Sequence, residues 1–261
     1  MKKSSVLSVA STIVFAGMVA VNYLAVALPI NGITTGEVSD SYPNLFAPAG
    51  FTFLIWSLIY TLLLGFTVYQ WRIKNRTEIR PMLEKVQTYF ILSSLFNTAW
   101  IFSWHYRIIP LSLLLITCML ISLALLVGSL RETNLKRWDY LLIRMPFSIY
   151  FGWLTVATIA NVTVFLVSLG WVGFGIPAEV CTSAVLLTGA AIGLLAMLKN
   201  RDIAYILVMV WAYFGILYRH QSADGFAGQY SMVITTVVIS IGLFILGAIW
   251  LLLRGEDEKT A

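Results

Sequence analysis

The sequence predicts an all-α fold, a polytopic transmembrane helix bundle of eight spans, on three observations. The 261-residue chain is 59% hydrophobic and only 11% charged, against roughly 45 to 50% and 25% in soluble domains. Eight apolar runs, 6-29, 51-71, 86-104, 110-130, 145-169, 180-198, 203-218 and 231-253, contain no Asp, Glu, Lys or Arg. Most are close to the roughly 20 residues a helix needs to cross about 30 Å of hydrocarbon. Threading the chain eight times also puts 15 of its 17 Lys and Arg residues on one side. They are Lys2, Lys3, Arg72, Lys74, Arg76, Arg80, Lys85, Arg131, Lys136, Arg137, Arg144, Lys199, Arg201, Arg254 and Lys259, leaving only Arg107 and Arg219 opposite. Short cation-rich loops stay cytoplasmic, which places both termini on that side of the cell membrane.

The net charge of +5 is accounted for by insertion topology and anionic lipid headgroups, so the reading contains the bilayer as partner and no nucleic acid. Cys118 and Cys181 lie in apolar runs without a second thiol or His at ligand spacing, so neither a disulfide nor a metal site is expected.

The first run follows MKKSS, which resembles a secretory n-region, and Ala25-Val26-Ala27 resembles a cleavage site. The apolar stretch is longer than the roughly 7 to 15 residues of a signal h-region and is read as a first helix. A turn-rich outer loop from Asn31 to Gly50 follows, punctuated by Gly32, Gly36, Pro43 and Pro48 and carrying Glu37 and Asp40; it forms an ordered cap or a flexible lid. The second span contains Trp56 and the third Asn97 and Trp100. Only His105 to Ile109 separate the third from the fourth, which opens on Pro110, so those helices are antiparallel neighbours. The fifth carries Trp153 and Asn161. In the sixth, Gly189 and Gly193 form a G-x-x-x-G pair for close helix contact, within the chain or across a homodimer. The seventh holds Trp211, and the eighth closes the bundle.

No ionisable relay lies inside the runs, which argues against ion-coupled transporters and proton pumps. Nucleophile, phosphate-loop and metal motifs are also missing. Glu37, Asp40, His105 and Glu179 fall near the outer face and are ordinary solvated residues unless the fold gathers them. The distinctive inventory is aromatic, with 9 Trp, 12 Tyr and 15 Phe. Trp71, Trp104, Trp138, Trp171 and Trp250 fall at span ends, where indoles favour the headgroup boundary. Trp56, Trp100, Trp153 and Trp211 fall within spans, where the indole N–H wants a partner in the protein or a ligand. By depth, Trp56, Trp100, Asn97 and Asn161 form a layer in the outer half of the bilayer. Such a layer forms interhelical hydrogen bonds or lines a pocket for a flat apolar ligand.

Three blocks in this layer resemble the tryptophan-rich sensory protein / translocator protein family (TspO/MBR). FAPAGFTFLIWSLIY, from Phe46 to Tyr60, resembles its F-x-P-P-G-W-V-F…W-T-x-L-Y motif, with Ala49 for the second Pro and Phe51 for the first Trp. Asn97 and Trp100 resemble its N-x-x-W pair. YFGWLTVATIAN resembles P-Y-L-A-W-x-x-F-A-T-x-L-N, with Tyr150, Trp153, Ala157, Thr158 and Asn161 in place and Ile149 where the first Pro stands. The resemblance covers roughly 1-170 and implies a five-helix domain, with 171-261 as a three-helix extension. It implies a pocket for a small hydrophobic, porphyrin- or haem-like ligand, with no required cofactor, lined by Trp56, Tyr60, Asn97, Trp100, Tyr150, Trp153, Ala157 and Asn161. The lid would carry Phe46, Pro48 and Phe51. The stretch VTVFLVSLGW lacks the Tyr and Arg of a cholesterol-recognition segment.

Non-enzymatic binding for sensing or transport is the leading expectation. An uncoupled transporter of an amphipathic solute, using the three extra helices, is the alternative. A tetrapyrrole-degrading enzyme is the third class, and the sequence supplies no acid or base at depth for it.

Overall fold

The computed structural model describes residues 3–131, 133 and 135–260, with side chains as far as Arg254, so Lys2 and the Lys259 side chain lie outside the described residues. The described residues are all helix and loop. The chain runs through α1 (Lys3–Ala27), the short α2 (Thr35–Asp40), a 3-10 turn (Gly50–Leu54), α3 (Ile55–Ile73), α4 (Arg80–His105) and α5 (Ile109–Leu130). It continues through α6 (Arg137–Asp139), a π turn (Tyr140–Arg144), α7 (Met145–Ser168), α8 (Ala178–Asn200), α9 (Ile203–Gln221) and α10 (Ser231–Thr260).

Seven of these helices are long and apolar enough to cross a membrane among the described residues, not the eight the sequence predicts. The run at 86–104 does form a helix, α4, but that helix starts at Arg80 and carries Glu84, Lys85, Gln87, Ser93, Ser94 and Asn97. These groups keep its mean hydropathy below that of a membrane-crossing segment. The polarity points inward, because Gln87, Ser93, Ser94, Asn97, Ser103 and His105 are all buried. α4 packs against α1 and α5, and Gln87 and Asn97 of its polar face hydrogen-bond to neighbouring helices. Gln70 Oε1 accepts from Ser11 Oγ (2.9 Å) and Gln87 Nε2 (2.8 Å), tying α1, α3 and α4 together.

α5 lies between α4 and α7, α9 packs on α7, and α10 closes against α8 and α9. Gly189 and Gly193 serve packing within the chain. A Cβ at Gly189 would come within 2.6 Å of the Tyr213 hydroxyl of α9, and one at Gly193 within 3.3 Å of Phe244 of α10. Tyr213 donates to the Leu186 carbonyl at 2.7 Å across the same seam.

The cation-rich connections meet at one end of the bundle. Lys3 pairs with Glu84 at 3.3 Å, and Arg144 donates to the Asn200 carbonyl. Arg76 grips Asp139 through both oxygens at 2.8 and 3.1 Å, with Tyr69 donating a further hydrogen bond at 2.8 Å. Asp139 is only 1% exposed, so this charge pair and its phenol partner are what make its burial tolerable. The two carboxylates hold the Arg76 guanidinium well above its ordinary range, and Arg76 in turn lowers Glu78.

Candidate ligand-binding site

The other end of the bundle holds the site. Residues 30–54, with α2 at their centre, fold into an ordered cap. Thr34 and Glu37 form a reciprocal capping box that starts α2, the expected solution for otherwise unpaired N-terminal amides. The cap is held from two sides. On the α4 side, Trp104 Nε1 donates to the Thr35 carbonyl (3.1 Å) and Asn31 Nδ2 to the His105 carbonyl (3.0 Å). On the α9 side, the Ala49 N–H donates to the Gly215 carbonyl (3.0 Å) and Trp211 Nε1 to the Thr52 carbonyl (3.0 Å). His220 Nε2 contacts the Leu45 carbonyl at 2.9 Å, and Arg219 pairs with Asp40 at 3.3 Å. Gly215 permits this approach, since a Cβ there would collide with Thr52.

Glu37, Asp40, His105 and Glu179 therefore do not assemble into one site. Glu37 caps α2, Asp40 faces Arg219, His105 is buried against Ile101 and Thr35, and Glu179 opens α8.

Beneath the cap is a cavity of about 40 Å³. Trp56 and Phe53 line it from the α3 side, Trp100 and Trp104 from α4, and Trp153, Val156, Ala157, Ala160, Asn161 and Val164 from α7. Thr35, Ser39 and Pro48 of the cap complete the lining. The α7 residues Ala157, Ala160, Asn161 and Val164 share one face through i, i+3, i+4 and i+7 spacing, so small residues leave room where the indoles converge. Trp56 and Phe53 each meet Trp153 edge-on, at 6.2 and 5.8 Å between centroids, while Trp100 stacks on Trp104 at 5.6 Å.

Of the residues expected to face a ligand, Trp56, Trp100, Trp153, Ala157 and Asn161 line this cavity, as does Pro48 of the expected lid. Tyr60, Asn97 and Tyr150 lie behind them as support. Tyr60 stacks on Trp56 at 5.5 Å, and Asn97 donates to the Tyr150 hydroxyl at 3.0 Å while accepting from Asn22 at 2.7 Å. Asn161 accepts from Ser112 at 2.7 Å. Phe46 is buried in the core, and Phe51 turns away to pack on Trp211, Phe214 and Tyr218 of α9. Trp104 departs from its expected headgroup position: it is 4% exposed and roofs the cavity, whereas Trp71, Trp138, Trp171 and Trp250 are exposed. Its spacing of four from Trp100 was the available signal, since i and i+4 residues share a helix face.

One feature decides what the cavity can do chemically. The indole N–H groups of Trp100 and Trp153 are buried and have no hydrogen-bond partner. A buried unpaired donor costs about 1 to 3 kcal/mol, and such groups are few in native structures.

The TSPO-like protein family matches residues 8–250.

The chain belongs to the TSPO-like protein family.

The match runs beyond residue 170, where the sequence motifs end, so α8, α9 and most of α10 fall inside it. No curated protein and no solved structure matches the chain. The TSPO-like chain is thus a multi-pass membrane protein whose α9 secures the cap over an indole-lined cavity.

Proposed function

We propose that this TSPO-like protein binds a flat, largely apolar ligand bearing acceptor oxygens in the cavity beneath the cap. The observation that carries the reading is the pair of orphaned indole donors, Trp100 Nε1 and Trp153 Nε1, on one cavity. A ligand oxygen would satisfy these donors, and the aromatic faces of Trp56 and Trp153 supply contact area for a planar ring system. A tetrapyrrole with carboxylate side chains has both features.

The cavity of about 40 Å³ is close to the roughly 30 Å³ share of one liquid water, whereas ligand sites hold about 300 to 1,000 Å³. Binding therefore requires the cap to lift. The observed affinity is the intrinsic affinity reduced by the fraction of open molecules. In this reading the cation-rich end and both termini face the cytoplasm, the cap faces outward, and the role is binding for sensing or transport, without a required cofactor.

The test is a tryptophan-fluorescence titration of the detergent-solubilised chain with protoporphyrin IX. Saturable quenching is expected, weakened about 3- to 10-fold in Trp153→Phe, which keeps a ring but removes a hydrogen-bond donor worth about 0.5 to 1.5 kcal/mol. Absence of saturation, or an unchanged titration in Trp153→Phe, contradicts the proposal.

A further inference from the structure

A second concavity lies far from the indole cavity, on the outer surface of α3 near the cation-rich end. It is an open groove of about 400 Å³, formed by Thr61, Leu64, Gly65, Val68 and Arg72 of α3 with Leu142 of the π turn. Its origin is local. Gly65 contributes no side chain to the floor, and the wider π turn sets Leu142 as the facing wall, 3.4 Å from where a Gly65 Cβ would stand. Leu64 and Val68 are more than half exposed, so this face meets lipid in a chain with seven candidate spans.

The charge distribution is uneven at the end of the groove. Arg76 is neutralised by Asp139 and Glu78, and Tyr69 is committed to Asp139. Arg72 is exposed and makes no ion pair with the described carboxylates, and Lys74 rests only over the Trp71 ring, 4.4 Å from its centroid. Arg72, a cation without an acidic partner among the described residues, thus sits at the headgroup end of an apolar groove.

We propose that the groove between α3 and the π turn is a binding site for one anionic phospholipid, an acyl chain lying over Gly65 and the phosphate meeting Arg72. Moving an acyl chain from bulk lipid into an apolar groove changes its surroundings little, because lipid tails are as apolar as Leu. Selectivity must therefore come from the charged end, where each Lys or Arg near an anionic headgroup contributes about fivefold in affinity. The groove fixes the place, and Arg72 chooses the lipid.

The experiment is native mass spectrometry of the full chain in a neutral detergent, with added phosphatidylglycerol or phosphatidylcholine of identical chains. One phosphatidylglycerol should be retained at least about fivefold more tightly than phosphatidylcholine. Arg72→Gln should lower retention of phosphatidylglycerol about fivefold with little effect on phosphatidylcholine. Val68→Trp, at a lipid-exposed position that tolerates a larger side chain, should fill the groove and weaken both lipids. Undiminished preference in Arg72→Gln overturns the proposal, as does unchanged retention in Val68→Trp. Displacement of the lipid by glycerophosphoglycerol, which lacks chains, would reduce the site to a simple anion contact and overturn it equally.

Discussion

Two indole nitrogens carry the functional argument at the residue scale, because of the described buried polar atoms without a partner only these belong to residues that line the cavity beneath the cap. Trp104 and Trp211 both find backbone carbonyls, on Thr35 and Thr52. Asn97, Tyr150, Asn161 and Ser112 also find partners. With Trp100 and Trp153 unpaired on one cavity, donor capacity is kept there for something else. A different residue tests the polar chemistry at the opposite end. Asp202 is 1% exposed; it accepts from Ser148 Oγ and from the Tyr205 N–H at the start of α9. Burial raises its carboxyl above the usual range despite those bonds and the nearby Arg144. With the folded-state value above the unfolded one, the native chain holds the proton longer, so stability falls as pH rises through that window. Asp202→Asn keeps one acceptor oxygen for the Tyr205 N–H, can donate its amide to Ser148 Oγ, and removes the ionisation. It should melt higher than the wild type near pH 7 and lose this advantage near pH 4, as followed by thermal unfolding in detergent; a pH-independent difference would contradict this account.

The cap and α9 act together at the scale of elements. Asp40, Leu45, Ala49 and Thr52 are all held by residues of α9 between Trp211 and His220. The Arg219–Asp40 pair lies at the surface, with Asp40 65% and Arg219 25% exposed, so it is worth only about 0 to 1 kcal/mol. Arg219→Ala should therefore raise the rate of ligand-dependent quenching by about 2- to 5-fold, while leaving the helix content by circular dichroism unchanged. A slower or unaltered rate would mean that the cap does not limit access. Little of this latch was legible in the sequence, because its partners are 159 to 179 positions apart and local patterning says nothing about such pairs. The helices themselves were readable from uncharged apolar runs, the Trp56, Trp100 and Asn161 layer from helical depth, and Trp153 from the family resemblance. Trp104 was misplaced because position at a helix end suggests the headgroup region, whereas the cap buries that end. Phe51 lies in the cap but does not line the cavity, because the 3-10 turn that precedes α3 rotates it toward α9.

The TSPO-like chain as a whole is a bundle with two polar ends of different kinds. One gathers cations and the buried Asp139 and Asp202; the other is closed by a hydrogen-bonded cap over a nearly filled cavity. α4 links the two. Its 26 residues span about 39 Å at about 1.5 Å per residue, and its inward polar face explains both the buried amide network and the count of seven apolar spans rather than eight. In the proposed reading the small cavity makes ligand binding an opening equilibrium, and the unpaired indoles define what the opened site would recognise. The most direct measurement is the indole ¹⁵N–¹H NMR spectrum of the detergent-solubilised chain before and after saturation with protoporphyrin IX, with Trp100→Phe and Trp153→Phe providing the assignments. The account predicts that the Trp100 and Trp153 indole protons move downfield and become protected from exchange, as expected when a free donor acquires an oxygen partner. Indole signals from these two residues that stay in place while ligand is bound would contradict it.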